Sequence, residues 1–256
     1  MLISSTRILA LVNQKGGVGK TTTAINLGAA VAERGAQVLI VDADPQANST
    51  SGLGVDPARA RLTIYDLLAG SAGLDEVATP TAIDGLWLVP SQVSLAGAEI
   101  ELATLPEREL RLRLALQDLV GGFGFVLIDC PPSLGLLTLN ALAAADAMLV
   151  PMQCEYFALE GLAHLLHTQQ LVRMSLNPSL ELAGIVMTQF DSRTTLAWDV
   201  LAEVRRVYPE HLLRTLIPRN VRVSEAASHG LPVTLYDPEC RGSQAYRQLA
   251  EEVMCR

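Results

Sequence analysis

Lysine is almost absent from this chain. Of 256 residues, seventeen are arginine and only two are lysine, Lys15 and Lys20, both inside one six-residue window. A chain that uses arginine nearly everywhere keeps lysine only where a compact ammonium, rather than a wide planar guanidinium, suits a phosphate oxygen. Other absences exclude whole classes. The four cysteines (Cys130, Cys154, Cys240, Cys255) stand far apart with no C-x-x-C pair, so neither metal-ligand spacing nor a disulfide framework is indicated. They are expected to be reduced and structurally minor. No apolar run is long enough to cross a bilayer. The N-terminal Met1–Arg7 is too short and lightly charged for a signal peptide, which predicts a cytoplasmic protein. There is no internal repeat, low-complexity tract or Pro/Gly-rich linker, and half the residues are hydrophobic against 18% charged. That composition builds one large core rather than a disordered chain.

The net charge of −8 argues against nucleic acid as a partner. Its distribution weakens the argument. Residues 1–192 hold ten basic and nineteen acidic side chains, whereas residues 193–256 hold nine arginines and eight acids. A locally arginine-rich quarter permits a DNA-facing patch.

Strand-length apolar runs recur at Arg7–Val12, Gln37–Val41, Leu86–Val89, Phe125–Ile128, Met148–Val150, Leu182–Met187 and Leu212–Ile217. Helical patterns lie at Lys20–Arg34, Glu107–Val120, Leu136–Ala145, Leu159–Leu176, Leu196–Val207 and Ser243–Val253. Alternation of this kind predicts an α/β fold, a single P-loop NTPase domain over residues 1–256. Its sheet should be mostly parallel and twisted, with helices on both faces.

The segment Gln14-Lys-Gly-Gly-Val-Gly-Lys-Thr-Thr22 follows a strand and opens a helix. Its glycines let backbone N–H groups converge on phosphates at a helix N-terminus. Lys15, Gly16, Gly17, Val18, Gly19, Lys20, Thr21 and Thr22 are the candidate nucleotide-binding residues. Lys20 is expected on the β- and γ-phosphates and the Thr21 hydroxyl on Mg²⁺. The usual first glycine is replaced by Gln14, and an extra lysine leads the loop. Asp42 and Asp44 end the second strand, where ligands sit in such sheets. Phe125-Val-Leu-Ile-Asp129 is an apolar strand ending in a carboxylate, and Asp129 should hold the magnesium shell, through water.

The leading lysine resembles the ParA/MinD class of ATPases. Four longer strings are similar to the ParA/Soj family: Val41–Gly54, Asp129–Gly135, Gln153–Gly161 and Ile217–Glu225. The resemblance runs from about residue 7 to the C-terminus. It implies an ATP hydrolase that dimerises on binding ATP and Mg²⁺ and then binds double-stranded DNA nonspecifically. With a ParB-type centromere-binding partner it would segregate chromosomes or plasmids, cytoplasmic and nucleoid-associated. By the same resemblance Lys15 acts across the dimer on the partner's nucleotide, so Lys15, Lys20 and Asp44 form the catalytic set. Asp44 orients the attacking water and, with Thr21 and Asp129, belongs to the metal site, while Asp42 supports it. Pro218 and Asn220 would flank the adenine with Met187 and Thr188 nearby, and Arg193 and Arg222 would contact the DNA backbone. Three positions depart from the family strings: Ala47 and Ala227 stand where glycine and proline are common, and Leu231 where a basic residue is.

With the phosphate loop so near Met1, no N-terminal helix-turn-helix is expected. A MinD-like membrane-cycling ATPase would need a basic amphipathic end, whereas Tyr246–Arg256 carries an acidic pair and no lysine. An iron–sulfur reductase would need cysteines at other positions, and an amidoligase shares the fold but not the 43–54 and 217–225 strings. A ParA-like ATPase that positions a protein cargo fits the same motifs.

Overall fold

The computed structural model describes residues 6–117 and 122–256. Most of the N-terminal segment read against a signal peptide, and the end of the helix expected over Glu107–Val120, lie outside them. Among the described residues, eight strands form one sheet: β1 (Arg7–Leu11), β2 (Val38–Asp42), β3 (Thr79–Pro80), β4 (Leu86–Val89), β5 (Phe125–Asp129), β6 (Ala147–Gln153), β7 (Glu181–Phe190) and β8 (Leu212–Pro218). Their order is β3-β4-β2-β5-β1-β6-β7-β8. Every pairing is parallel except that of the two-residue edge strand β3 with β4.

The continuously apolar strands follow from burial on both faces. Ala10 and Val12 enter one core with Leu39, Val41, Val126 and Ile128. Leu9 and Leu11 enter the other with Val38, Ile40 and Leu127. The helix Lys20–Ala32 and the last helix, Arg241–Met254, cover the second core. Ala245, Tyr246, Leu249, Ala250 and Val253 of that last helix are all buried. Its apolar stripe, spaced at helical period, is therefore used within the fold.

Of the seven expected strands, Leu86–Val89 matches, Arg7–Val12 ends one residue earlier, Gln37–Val41 is shifted by one, and the other four are longer at one or both ends. The helix expected from Glu107 starts only at Arg111. Pro106 precedes a left-handed Glu107 (φ 51°), a conformation that no helix interior accepts. Short helices at Asn48–Gly52, Ile64–Ala69, Leu95–Leu102 and Val221–Ser228 were not expected. The second carries a readable start, since Thr63 and Asp66 cap each other's backbone. The site lies at the C-terminal strand ends, around β1, where the chain turns to opposite sides of the sheet.

Candidate active site

The loop after β1 turns through Gly17 (φ 75°) and Gly19 (φ 87°), a region that L side chains rarely adopt. The helix then starts at Lys20 with no side-chain cap, leaving its first N–H groups to an anion. Neighbouring strand ends hold the loop. Thr188 Oγ1 donates to the Val18 carbonyl at 2.7 Å, while Gln153 and Gln189 amides both donate to the Gly17 carbonyl at 2.7 and 3.0 Å. Lys20 is buried, and its Nζ donates to the Lys15 carbonyl at 3.2 Å. Burial pushes its pKa down, opposed by the nearby Asp129 and Asp44 carboxylates. Lys15 points the other way: it is 54% exposed and ion-paired with Glu155 on the outer rim.

Register brings the acids together. Asp42 and Asp129 are Cα partners at the ends of adjacent strands β2 and β5, and both are fully buried. Burial raises both pKa values, and the charge of Asp129 raises Asp42 further. Asp42 is fully partnered: Oδ2 accepts from Thr50 N (2.8 Å) and Thr50 Oγ1 (2.7 Å), and Oδ1 from Asp44 N (3.2 Å). Asp129 Oδ2 accepts from Ser49 Oγ at 2.7 Å, but Oδ1, although buried, has no partner among the described residues. The Thr21 hydroxyl lies close enough to favour the charged carboxylate. A buried, half-satisfied carboxylate beside a hydroxyl fits a magnesium site that keeps several waters. Thr21 and Asp129 would hold the ion, which would neutralise charge developing on the phosphates. Asp44 is nearly buried, its Oδ1 accepting from Gln46 N (2.9 Å) and its carbonyl from Ser91 Oγ (2.8 Å).

Gly16, Gly17, Gly19, Lys20, Thr21, Thr22 and Asp44 line one cleft of about 550 Å³. A second cleft, of about 330 Å³, shares Gly19 and Thr22 with it and is lined by Thr188, Pro218 and Asn220. The two together have room for phosphates and a base. Asn220 also caps the helix Val221–Ser228, accepting from Arg222 N at 2.8 Å. Val18 is buried and serves through its carbonyl. Met187 lies wholly within the core and lines neither cleft; of the expected pair, the structure brings only Thr188 to the cleft. Arg193 is 84% exposed and doubly bonded to Asp191 (2.8 and 2.6 Å). Arg222, 54% exposed, pairs with Glu225 at 2.9 Å and Asp237 at 3.3 Å.

Ser49, Thr50, Ser91, Gln153 and Gln189 were not singled out from the sequence. Ser91 and Gln189 are signalled by position alone, at or just past the ends of β4 and β7, on the edge of the sheet where the ligand belongs.

A family described as an AAA domain matches residues 6–182. The sporulation initiation inhibitor protein Soj of Bacillus subtilis is 49% identical over 247 residues, 96% of this chain and 98% of that protein. The chromosome partitioning protein ParA of Caulobacter vibrioides is 53% identical over 252 residues, 98% of this chain and 94% of that one. This chain belongs to the ParA/Soj family. The family is one of P-loop ATPases, as the loop, the strand-end carboxylates and the parallel sheet already indicated. Among solved structures, a Mycobacterium smegmatis protein described as cobyrinic acid a,c-diamide synthase, with a bound ATP analogue and magnesium, superposes with a TM-score of 0.85. It is 42% identical, covering 96% of this chain and 93% of that one. The MinD protein of Pyrococcus horikoshii, complexed with Mg-ADP, has a TM-score of 0.79 at 29% identity, covering 97% and 96%. The four cysteines are free, and no helix among the described residues is long and apolar enough to cross a membrane.

Proposed function

We propose that this ParA-type ATPase binds ATP with Mg²⁺, dimerises, and in that state binds duplex DNA without sequence preference. Hydrolysis, slow and stimulated by a ParB-type partner, then releases it, and the cycle segregates a chromosome or plasmid. The observation that carries this reading is the opposed placement of the two lysines. Lys20 is buried in the cleft, where it can serve only its own subunit's nucleotide. Lys15 stands on the rim with its ammonium outside that cleft, available to a nucleotide held by a second copy. A positive charge delivered there acts as an arginine finger does. Asp44 positions the attacking water.

The names of the relatives, chromosome partitioning protein and Soj, support segregation as the process. A bilayer-cycling role is disfavoured because the last helix spends its apolar face on the helix Lys20–Ala32 and β8.

The test is Lys15→Ala. The variant should bind fluorescent ATP as the wild type does, yet elute as a monomer in gel filtration with ATP and Mg²⁺. A Lys15 variant that still dimerises, or that loses monomer ATP binding, removes the lysine division on which the proposal stands.

A further inference from the structure

The two buried carboxylates at the ends of β2 and β5 are neighbours in register but unequal in their partners. Asp42 has both oxygens occupied, by Thr50 and by the Asp44 backbone. Asp129 has one oxygen held by Ser49 Oγ and one, Oδ1, buried without a partner among the described residues. The two hydroxyls come from consecutive residues of one short helix, Asn48–Gly52. Ser49 and Thr50 are both fully buried. Thr50 is itself anchored, accepting from Ser91 N at 2.9 Å, and Ser91 Oγ reaches the Asp44 carbonyl. One helix therefore grips both carboxylates and, through Ser91, the loop that carries Asp44.

We infer that Ser49 is a positioning residue for the divalent cation: its hydroxyl holds Asp129 Oδ2, so that Oδ1 remains the free oxygen. A carboxylate pinned by one oxygen cannot rotate both away from the cation. Such a partner fixes orientation without touching the ion, and its loss typically costs 10- to 100-fold in metal affinity. Thr50 does the complementary task. By saturating Asp42 it removes the competing carboxylate, leaving Asp129 as the member of the pair with an oxygen to offer. The inference rests on the ATP and magnesium reading above.

The experiment titrates Mg²⁺ into the full-length protein with a fluorescent ATP analogue, reading the Mg²⁺ midpoint, with Mn²⁺ electron paramagnetic resonance as a second readout. For Ser49→Ala the midpoint should rise about tenfold or more, with analogue binding in EDTA unchanged within about twofold. In an Asp129→Asn background, Ser49→Ala should add less than about twofold, because the oxygen it holds is already altered. Ser49→Cys, close in volume with a weaker donor, should shift the midpoint in the same direction and stands in should the alanine variant fold poorly. An unchanged midpoint, an equal loss in EDTA, or a full additional shift on Asp129→Asn overturns the positioning role while leaving the ATPase reading intact. A wild type whose analogue binding ignores Mg²⁺ brings down both.

Discussion

The phosphate end and the arginine-bearing end of this molecule treat charge in opposite ways. Around the phosphate loop, Lys20, Asp42, Asp44 and Asp129 are buried among fixed hydroxyls and backbone groups, and the carboxylate oxygen Asp129 Oδ1, without a partner among the described residues, suits a cation. At the ends of β7 and β8, Arg193 and Arg222 are exposed and already paired with acids of their own chain. The first region is preorganised, so binding adds charge to a site that waits for it. In the second, a phosphate has to displace a carboxylate. Exposed pairs contribute little to stability and exchange readily, so the arginines remain usable, but weakly. On the proposed reading, a region of this kind would need two copies acting together before it held DNA.

The comparison is tested most severely at Lys20. Lys20→Ala should weaken ATP binding by at least about a hundredfold, since a charged hydrogen bond is worth roughly 1.5–3 kcal/mol and Lys20 would make two. Retained binding in a fluorescence titration would mean that the loop amides alone suffice and that burial of the ammonium is incidental.

A smaller effect is expected on the DNA side, read in an Asp44→Ala background so that the ATP dimer persists. If both contact DNA as proposed, Arg193 and Arg222 from two subunits would give four phosphate contacts, hence a slope of log K against log salt of about −4. Arg222→Glu should remove detectable binding in a mobility shift while the dimer persists in gel filtration. If the locked dimer ignores DNA even at low salt, the acidic net charge prevails and the nucleoid-binding part of the proposal fails.

The two regions also differed in how far the sequence revealed them. The loop lysines, Thr21, Asp44 and Asp129 could be singled out as candidates because each sits in a short local pattern tied to a strand end. Ser49, Thr50 and Ser91 could not, because their partners depend on the register of β2 against β5 and on a helix too short to show a period. Ser49 meets a residue 80 positions away. The parallel sheet was legible from its apolar runs, whereas the edge strand Thr79–Pro80 was not, being two residues containing a proline. The arginines were found, but not their neutralisation, which depends on the side chains of Asp191, Glu225 and Asp237.

One departure from the family strings is explained at the phosphate end. Ala47, where the family commonly has glycine, caps the helix Asn48–Gly52 in the left-handed conformation (φ 53°, ψ 37°). A residue with a Cβ is disfavoured there by roughly 1–2 kcal/mol, offset in part by the entropy that glycine would bring to the unfolded chain. Ala47→Gly should therefore stabilise the protein slightly, raising Tm by about 1–3 °C. A lower Tm would show that packing of the buried methyl outweighs the strain.

The smallest effect belongs to Asp191, and it asks how much the carboxylate restrains Arg193. Its pKa is lowered to about 2, first by the hydrogen bond from the Arg193 side chain and then by that from the Arg193 backbone. A depressed carboxylate favours the folded form above its unfolded value, 3.8, and loses that contribution only as pH falls toward 2. At any pH where DNA binding can be measured Asp191 is charged, so only a substitution removes its charge. Asp191→Asn keeps the shape of the turn and can still accept from Arg193 N, but no longer competes with phosphate for the guanidinium. In the ATP-locked dimer, affinity for duplex DNA should rise a few-fold, as expected for release from an exposed ion pair. The salt slope should stay near −4, since the number of phosphate contacts is the same. A rise in affinity with a steeper slope would mean that Arg193 does not reach phosphate while Asp191 is charged, leaving Arg222 as the main DNA contact. No change at all would place Arg193 outside the DNA interface.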